Sequence, residues 1–560
     1  MMREGAHSKR TARAAFGKGE DCFEKKSGFI ALVAAILFSL GFMGIGHAAD
    51  VGQGKRILFV PLDNRPITDK ETWEVAQKLG YEMTVPPEEL LGNVDRHGDP
   101  EGLWAWLRAN APGAKAAVVS TDAMLYGSLV GSRTHELDQA TILARVQRFR
   151  ELSESFPNLS VYGFSTVLRT LLSNTHSGPR MEPEDYQKNA VKIYEYSALR
   201  DKVDMGQGKK RDKKAMDRLQ KEISPAVMES WEARHKLNYD ANEALVDLAR
   251  EGVFSFLFIG GDDSAPLSQT HYEIRRLREY GSDLGKTRFQ VIAGSDELAM
   301  VMLCRAVNDD MGDMPFVYVA YNEGVGSKTI PHYSFEEIGI DVDATIVAAG
   351  GVKISGPERA ELVLAVNTNP DGKTREASDA SNTIRPRSGT KHFVSMVKDF
   401  VEKGYPVGVG DIAFSNGADN AMMEQLRKEN LLFRLRAYGG WNTATNTMGF
   451  LIGTGLLNKW MTPHDATELM MARYLDEWAY QANVRGLLHG ALAGFPGEGT
   501  VMKLNGKYDA AVKQGTAWME EFVKQNIRLP EHLSLRHLLV SYPWNRLFEC
   551  DCQFELKEGA

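Results

Sequence analysis

Cysteine is scarce: four residues in 560, too few for a disulfide scaffold. Long apolar runs are missing beyond the N-terminal region, so nothing later in the chain is built to span a membrane. Positive charge is in deficit, with 66 Lys and Arg against 74 Asp and Glu and a net charge of −8, which argues against a general nucleic-acid binder. No G-x-S-x-G elbow, Walker A loop or G-x-G-x-x-G turn follows a strand, and no histidine or cysteine spacing resembles a zinc hydrolase. The remainder is 43% hydrophobic, 9% aromatic and 25% charged, an ordinary globular composition. The length allows a large core and roughly two to four domains.

The N-terminus reads as an address. Residues 1–27 are basic on balance, Phe29 to Ile45 runs apolar, and small residues follow up to Ala48. Basic, apolar, then small-x-small is the order of a secretory signal peptide, residues 1–48, with cleavage after Ala48 and an exported, periplasmic or extracellular product. The alternative is an uncleaved membrane anchor made of the same segment. Cys304, Cys550 and Cys552 remain in the mature chain. Cys304 falls in an apolar helical pattern and reads as a buried thiol. Cys550-Asp551-Cys552 suggests a strained disulfide or a metal pair, without a nearby cluster to complete a zinc site.

Short β-rich runs alternate with helical ones. Strands are expected at Arg56–Pro61, Tyr81–Val85, Ala116–Ser120, Leu159–Phe164, Val253–Ile259, Phe289–Ala293, Phe316–Ala320, Thr345–Ala349, Leu362–Val366, Pro406–Val409 and Phe433–Ala437. Helices are expected at Asp69–Leu79 and Glu101–Asn110, through the charged tract Glu184–Arg250, and from Gly449 to about Gln525. Continuous apolar strands between amphipathic helices mean parallel strands covered on both faces, hence an α/β fold. The arrangement expected is parallel βα units in two lobes around a cleft, residues 49–366 and 367–448, then a mainly helical C-terminal region, residues 449–560. A (β/α)8 barrel made from the first eight strands is the alternative. The polar stretch Asn367–Thr390 is the best boundary or mobile loop.

Parallel strands collect function at their carboxyl ends. There the sequence repeatedly places acids and amides: Asp63-Asn64-Arg65, Asp122, Gly260-Gly261-Asp262-Asp263, Asp296-Glu297, Asp411, Asn416 and Gly440-Trp441-Asn442. Any one of these is explained by helix capping, as Asp69, Asp122 and Asp296 illustrate. The adjacent pairs Asp262-Asp263 and Asp296-Glu297 exceed what a cap requires. Asp63, Arg65, Asp122, Asp262, Asp263, Asp296, Glu297, Asp411, Asn416, Trp441 and Asn442 are therefore expected to share one pocket. Carboxylates, amides and a tryptophan suit a sugar, with Trp441 stacking on the ring. Asp263 is the expected general acid, its pKa raised by Asp262 and its turn opened to ligand by Gly260-Gly261. Asp411 is the expected base or nucleophile, and Arg65 a clamp for a carboxylate. His271 reads as a helix-face residue, whereas His97, His176, His332 and His489 stand in or beside loops as candidate ligands.

The segments VPLDNRP (Val60–Pro66), PPEELLG (Pro86–Gly92), STDAMLYGSLVGSR (Ser120–Arg133), GGDDSAP (Gly260–Pro266), NGADN (Asn416–Asn420) and AYGGWNTATNTMG (Ala437–Gly449) resemble a bacterial family of unknown function, domain of unknown function 4127. The resemblance implies bacterial origin and one shared site built from these segments.

The function expected is that of an exported carbohydrate-active enzyme, a glycoside hydrolase working with paired carboxylates on a small-molecule or glycan substrate. The alternatives are an extracytoplasmic sugar-binding protein and an ester hydrolase dependent on Mg²⁺ or Ca²⁺, since the same oxygens suit hard cations. No cofactor is firmly implied, and neither nucleic acid nor, beyond the N-terminal segment, membrane is an expected partner.

Overall fold

The computed structural model describes residues 51–174 and 181–559. The expected signal segment, residues 1–48, lies outside the described residues.

Six parallel strands build the first sheet: β1 (Arg56–Val60), β2 (Glu82–Thr84), β3 (Ala116–Ser120), β4 (Ser160–Val167), β5 (Phe256–Gly261) and β6 (Phe289–Ala293), in the order β2-β1-β3-β4-β5-β6. The chain then makes β7 (Phe316–Tyr321), β8 (Val352–Ile354), β9 (Leu362–Asn367), β10 (Arg375–Glu376), β11 (Val407–Asp411), β12 (Phe414–Ser415) and β13 (Ala437–Gly439). A second parallel sheet runs β13-β11-β9-β7-β8, and β10 pairs with β12 beside it. Each main sheet is wound the same way. Its second strand lies outside its first, and the chain crosses back to add the rest on the other side. Such winding opens a crevice at the carboxyl ends of the strands. Near the C-terminus, β14 (Leu533–Ser541) and β15 (Asp551–Glu558) form an antiparallel pair.

The two sheets share an interior. The helices Leu298–Met311 and Ala444–Leu457 pack on each other. Around them gather Phe59, Phe164 and Phe258 of the first sheet and Leu362, Leu364 and Val366 of the second, in one apolar cluster. All fourteen residues of Ala444–Leu457 are buried, which is why that helix lacks a polar face. Separate clusters cover the outer faces of the two sheets.

Three details depart from the sequence reading. Thr345–Ala349, expected as a strand, closes the helix Ile338–Ala348. That helix packs against β6 and Ala444–Leu457, so it is apolar without a clear period, and a short apolar run does not separate helix from strand. Phe433–Ala437 begins in a 3-10 turn, Leu432–Arg434, and the strand starts only at Ala437. The second sheet begins at Phe316, ahead of the polar break, which lies within that sheet between β9 and β11. Neither sheet closes into a barrel among the described strands. The helices expected after Gly449 are present, with the β14–β15 hairpin added.

Candidate functional site

At the carboxyl ends of the first sheet lies a cavity of about 360 Å³. β1 delivers Arg65, β5 delivers Asp262 and Asp263, and β6 delivers Ser295 and Asp296. Asn416 and Asn442 come from turns at the carboxyl ends of the second sheet, and Trp544, Arg546 and Phe548 from the segment before β15. Of the eleven residues expected to converge, Arg65, Asp262, Asp263, Asp296, Asn416 and Asn442 line this cavity.

Ion pairs hold the wall. Arg65 grips Asp63 through Nε at 2.9 Å and Nη2 at 2.8 Å, and grips Asp296 through Nη2 at 2.7 Å and Nη1 at 3.2 Å. Arg133 donates from Nε at 3.0 Å and from Nη2 to the single oxygen Oδ2 of Asp262. Arg169 donates to Glu182 at 2.8 Å and to Asp263 at 3.2 Å. Arg546 clamps Glu549 through Nε and Nη2. Trp544 ties these groups together: its Nε1 donates to Asn64 at 2.7 Å, with the guanidinia of Arg65 and Arg546 at 5.0 and 4.7 Å from its ring.

The asparagines come from strained turns. Asn416 (φ 61°) and Asn442 (φ 58°) are left-handed, a conformation that asparagine tolerates better than most residues. The Asn416 amide donates to the Asn442 carbonyl at 2.8 Å, and Asn442 Nδ2 donates to Asp296 Oδ2 at 3.2 Å. The second sheet thereby reaches a carboxylate of the first. Burial raises the pKa of Asp296, Arg65 pulls it down, and Asp63 and Asp262 push it up, for a net rise.

The other five expected residues lie elsewhere. Asp63 stands behind Arg65. Asp122 is wholly buried, accepts from the amide and hydroxyl of Thr166 at 2.9 and 2.8 Å, and is pushed up to about 7 by burial. It is not a cap: Ser120 caps that helix. Glu297 is buried, neither carboxyl oxygen is hydrogen-bonded among the described residues, and burial raises its pKa well above the usual range. Asp411 is also wholly buried. It accepts from the Asp419 amide at 2.6 Å, Asn367 at 3.0 Å and Tyr438 at 3.3 Å, and burial followed by the Asp419 carboxylate pushes it up to about 7. Trp441 packs into the apolar interior between the sheets. Asp263 and Asp411 therefore do not face each other across this cavity.

The glycines before Asp262 have a packing role in place of the expected opening to ligand. A side chain on Gly260 would run into the Gly294 carbonyl, and one on Gly261 into Ile274 and Phe335. His271 pairs with Asp201 at 2.6 Å, His97 with the Thr134 hydroxyl at 2.8 Å, and His332 stands 3.8 Å from Glu376. His489 lies on the helix Arg485–Ala491 and His176 lies outside the described residues. The Cys550 and Cys552 sulfurs are 3.6 Å apart and unbonded, with Cys550 donating to Asp476.

Arg133, Arg169, Tyr333, Trp544 and Arg546 are among the lining residues beyond the expected set. Arg133 closes the motif SLVGSR and Arg169 follows β4 by two residues, so both carried a positional signal. Arg546 and Trp544 carried none. A hard cation needs several free oxygens; the cavity carboxylates already accept from guanidinia. Among the described residues, the group spaced to hold a metal is His464, Asp465 and Glu468, away from the cavity wall, and Lys78 pairs with both acids.

No curated protein and no solved structure matches the chain. The sequence pattern of one family, described as "Protein of unknown function (DUF4127)", matches residues 57–553, nearly the whole chain, with all the cavity-lining residues inside that span. The chain belongs to the DUF4127 family.

Proposed function

We propose that the protein is an exported carbohydrate-active enzyme, a glycoside hydrolase whose proton donor is Asp296 and whose second carboxylate is Asp263. The observation that carries this reading is the contrast between two carboxyl groups on one cavity wall. Asp296 is buried at the cavity wall, and burial, with Asp63 and Asp262 nearby, moves its pKa up against the pull of Arg65, the direction a proton donor needs. Asp263 has a side chain 22% exposed and held 3.2 Å from Arg169, a carboxylate that water or a sugar can reach, which suits a base or nucleophile. Arg65 and Asn442 fix the orientation of Asp296, and Asp262 stays bound to Arg133. Tyr333, Trp544 and Phe548 add aromatic surface to the lining, which suits apolar contact with a pyranose. The volume suits a ligand of one or two sugar rings.

In this mechanism Asp296 donates its proton to the glycosidic oxygen as the bond to the leaving sugar breaks. Asp263 either takes a proton from the water that attacks the anomeric carbon, or attacks that carbon itself to give a glycosyl ester, which water then hydrolyses while the Asp296 carboxylate takes the water proton. Asp411, which does not line the cavity, has no part. The test is release of reducing ends from bacterial and plant glycans by the purified mature chain, with and without EDTA. Release that survives EDTA supports the reading. No release from any glycan, with tight sugar binding, supports a binding protein instead. Export rests on the order of residues 1–48, and mass spectrometry of the protein from its native host is expected to find a chain beginning at Ala49.

A further inference from the structure

We infer that the sugar this cavity takes carries a carboxylate, held by the Nη1 groups of Arg133 and Arg546; the inference rests on the carbohydrate reading above. Both guanidinia are about 95% or more buried. Each spends one edge on a protein carboxylate: Arg133 on Asp262, Arg546 on Glu549. What is left over differs from the other arginines of the wall. Among the described residues, Arg133 Nη1 has no hydrogen-bond partner, and Arg546 Nη1 reaches only the thioether sulfur of Met181, at 3.0 Å. A buried charged donor without an oxygen acceptor is costly, and sulfur is a weak substitute.

Both arginines border the same dipeptide. Met181 meets Arg546 at its leftover Nη1, while Glu182 lies 3.7 Å from Arg133 Nε, on the edge that Arg133 gives to Asp262. Met181, Arg133 and Arg546 all line the cavity. A ligand carboxylate displacing the sulfur contact would give both donors a charge-matched oxygen, and planar carboxylates match guanidinium edges better than hydroxyls do. The opposing effect is repulsion from Asp262, Asp263 and Asp296. It is reduced because Asp262, Asp263 and Asp296 are already paired with Arg133, Arg169 and Arg65.

The experiment is calorimetric titration of the mature chain with matched pairs of methyl glycosides, neutral and uronate, in the gluco, galacto and manno series, with inorganic phosphate as a separate arm. In at least one pair the uronate is expected to bind tenfold or more tighter than its neutral partner. That contrast is expected to fall within twofold in Arg133→Gln and Arg546→Gln, and to be largely lost in Arg133→Lys and Arg546→Lys, which keep the charge and lose the fork. Equal or tighter binding of every neutral partner, absence of binding in all pairs, tighter binding of phosphate than of any uronate, or a contrast that survives the four substitutions would each overturn the inference. Hydrolysis of neutral glycosides without a uronate preference would leave the hydrolase reading standing and remove this one. A uronate preference without turnover would do the reverse.

Discussion

Arg65→Met removes the guanidinium that joins two strands of the first sheet. Arg65 is 5% exposed and its guanidinium makes four hydrogen bonds to Asp63 and Asp296, themselves 1% and 5% exposed. Methionine fills much of the volume but leaves both carboxylates without their cation. Breaking a buried pair from one side costs about 3–5 kcal/mol. The cost should also depend on pH. The Asp296 pKa is already raised with Arg65 in place, chiefly by burial, and losing Arg65 raises it further. A carboxyl that keeps its proton in the folded chain but loses it in the unfolded one releases a proton on unfolding. Its contribution is therefore fully present below the unfolded value, about 3.9, and declines as pH rises toward the folded value. The deficit of Arg65→Met should thus grow from pH 5 to pH 8, at no more than about 1.4 kcal/mol per pH unit for this one proton. Urea unfolding followed by tryptophan fluorescence at both pH values measures it, with Arg65→Lys recovering part of the loss. A deficit below about 1 kcal/mol at pH 8, or one equal at both pH values, would refute the reasoning.

Asp122→Asn should flatten the pH dependence of stability. The wild-type carboxyl, pushed up to about 7, withdraws stability between about pH 4 and pH 7, whereas an amide keeps a bond to Thr166 without titrating. The variant's melting temperature should rise relative to wild type at pH 8 more than at pH 5, and a parallel offset would contradict this. Gly449→Ala should destabilise by about 1–3 kcal/mol in urea unfolding, although alanine is the better helix former, because the methyl would fall on Cβ and Cγ of Glu297. A stabilised variant would show that Glu297 is free to move aside.

The fold was legible because its strands are continuous apolar runs with turn residues after them. RILFV, AAVVS and FQVIA are strands over the expected residues. Thr345–Ala349 misled because a helix buried on several sides carries the same local signal as a buried strand. At the site, Asp262, Asp263 and Asp296 were legible as acids crowded at the ends of neighbouring strands. Their partners were not: Arg133 is 129 residues from Asp262 and Arg169 is 94 from Asp263, and only the tertiary fold joins them. Asp411 ends its strand as Asp262 follows its own, yet its oxygens are consumed by Asn367, Tyr438 and the Asp419 amide. Trp441 and Trp544 show the same limit. Flanking glycines marked the first, which is buried between the sheets, while the second, without such a marker, stacks beside Arg65 and Arg546.

The central claim is that Asp296 supplies the proton to a leaving sugar. The direct measurement compares wild type with Asp296→Asn on two glycosides of the same sugar, one with a natural sugar leaving group and one with dinitrophenolate, which leaves without protonation. The account predicts a loss of about 10²–10⁴ in kcat/KM on the natural linkage and a much smaller loss on the dinitrophenyl glycoside. Equal losses on both substrates, or full activity of Asp296→Asn on the natural linkage, would contradict it.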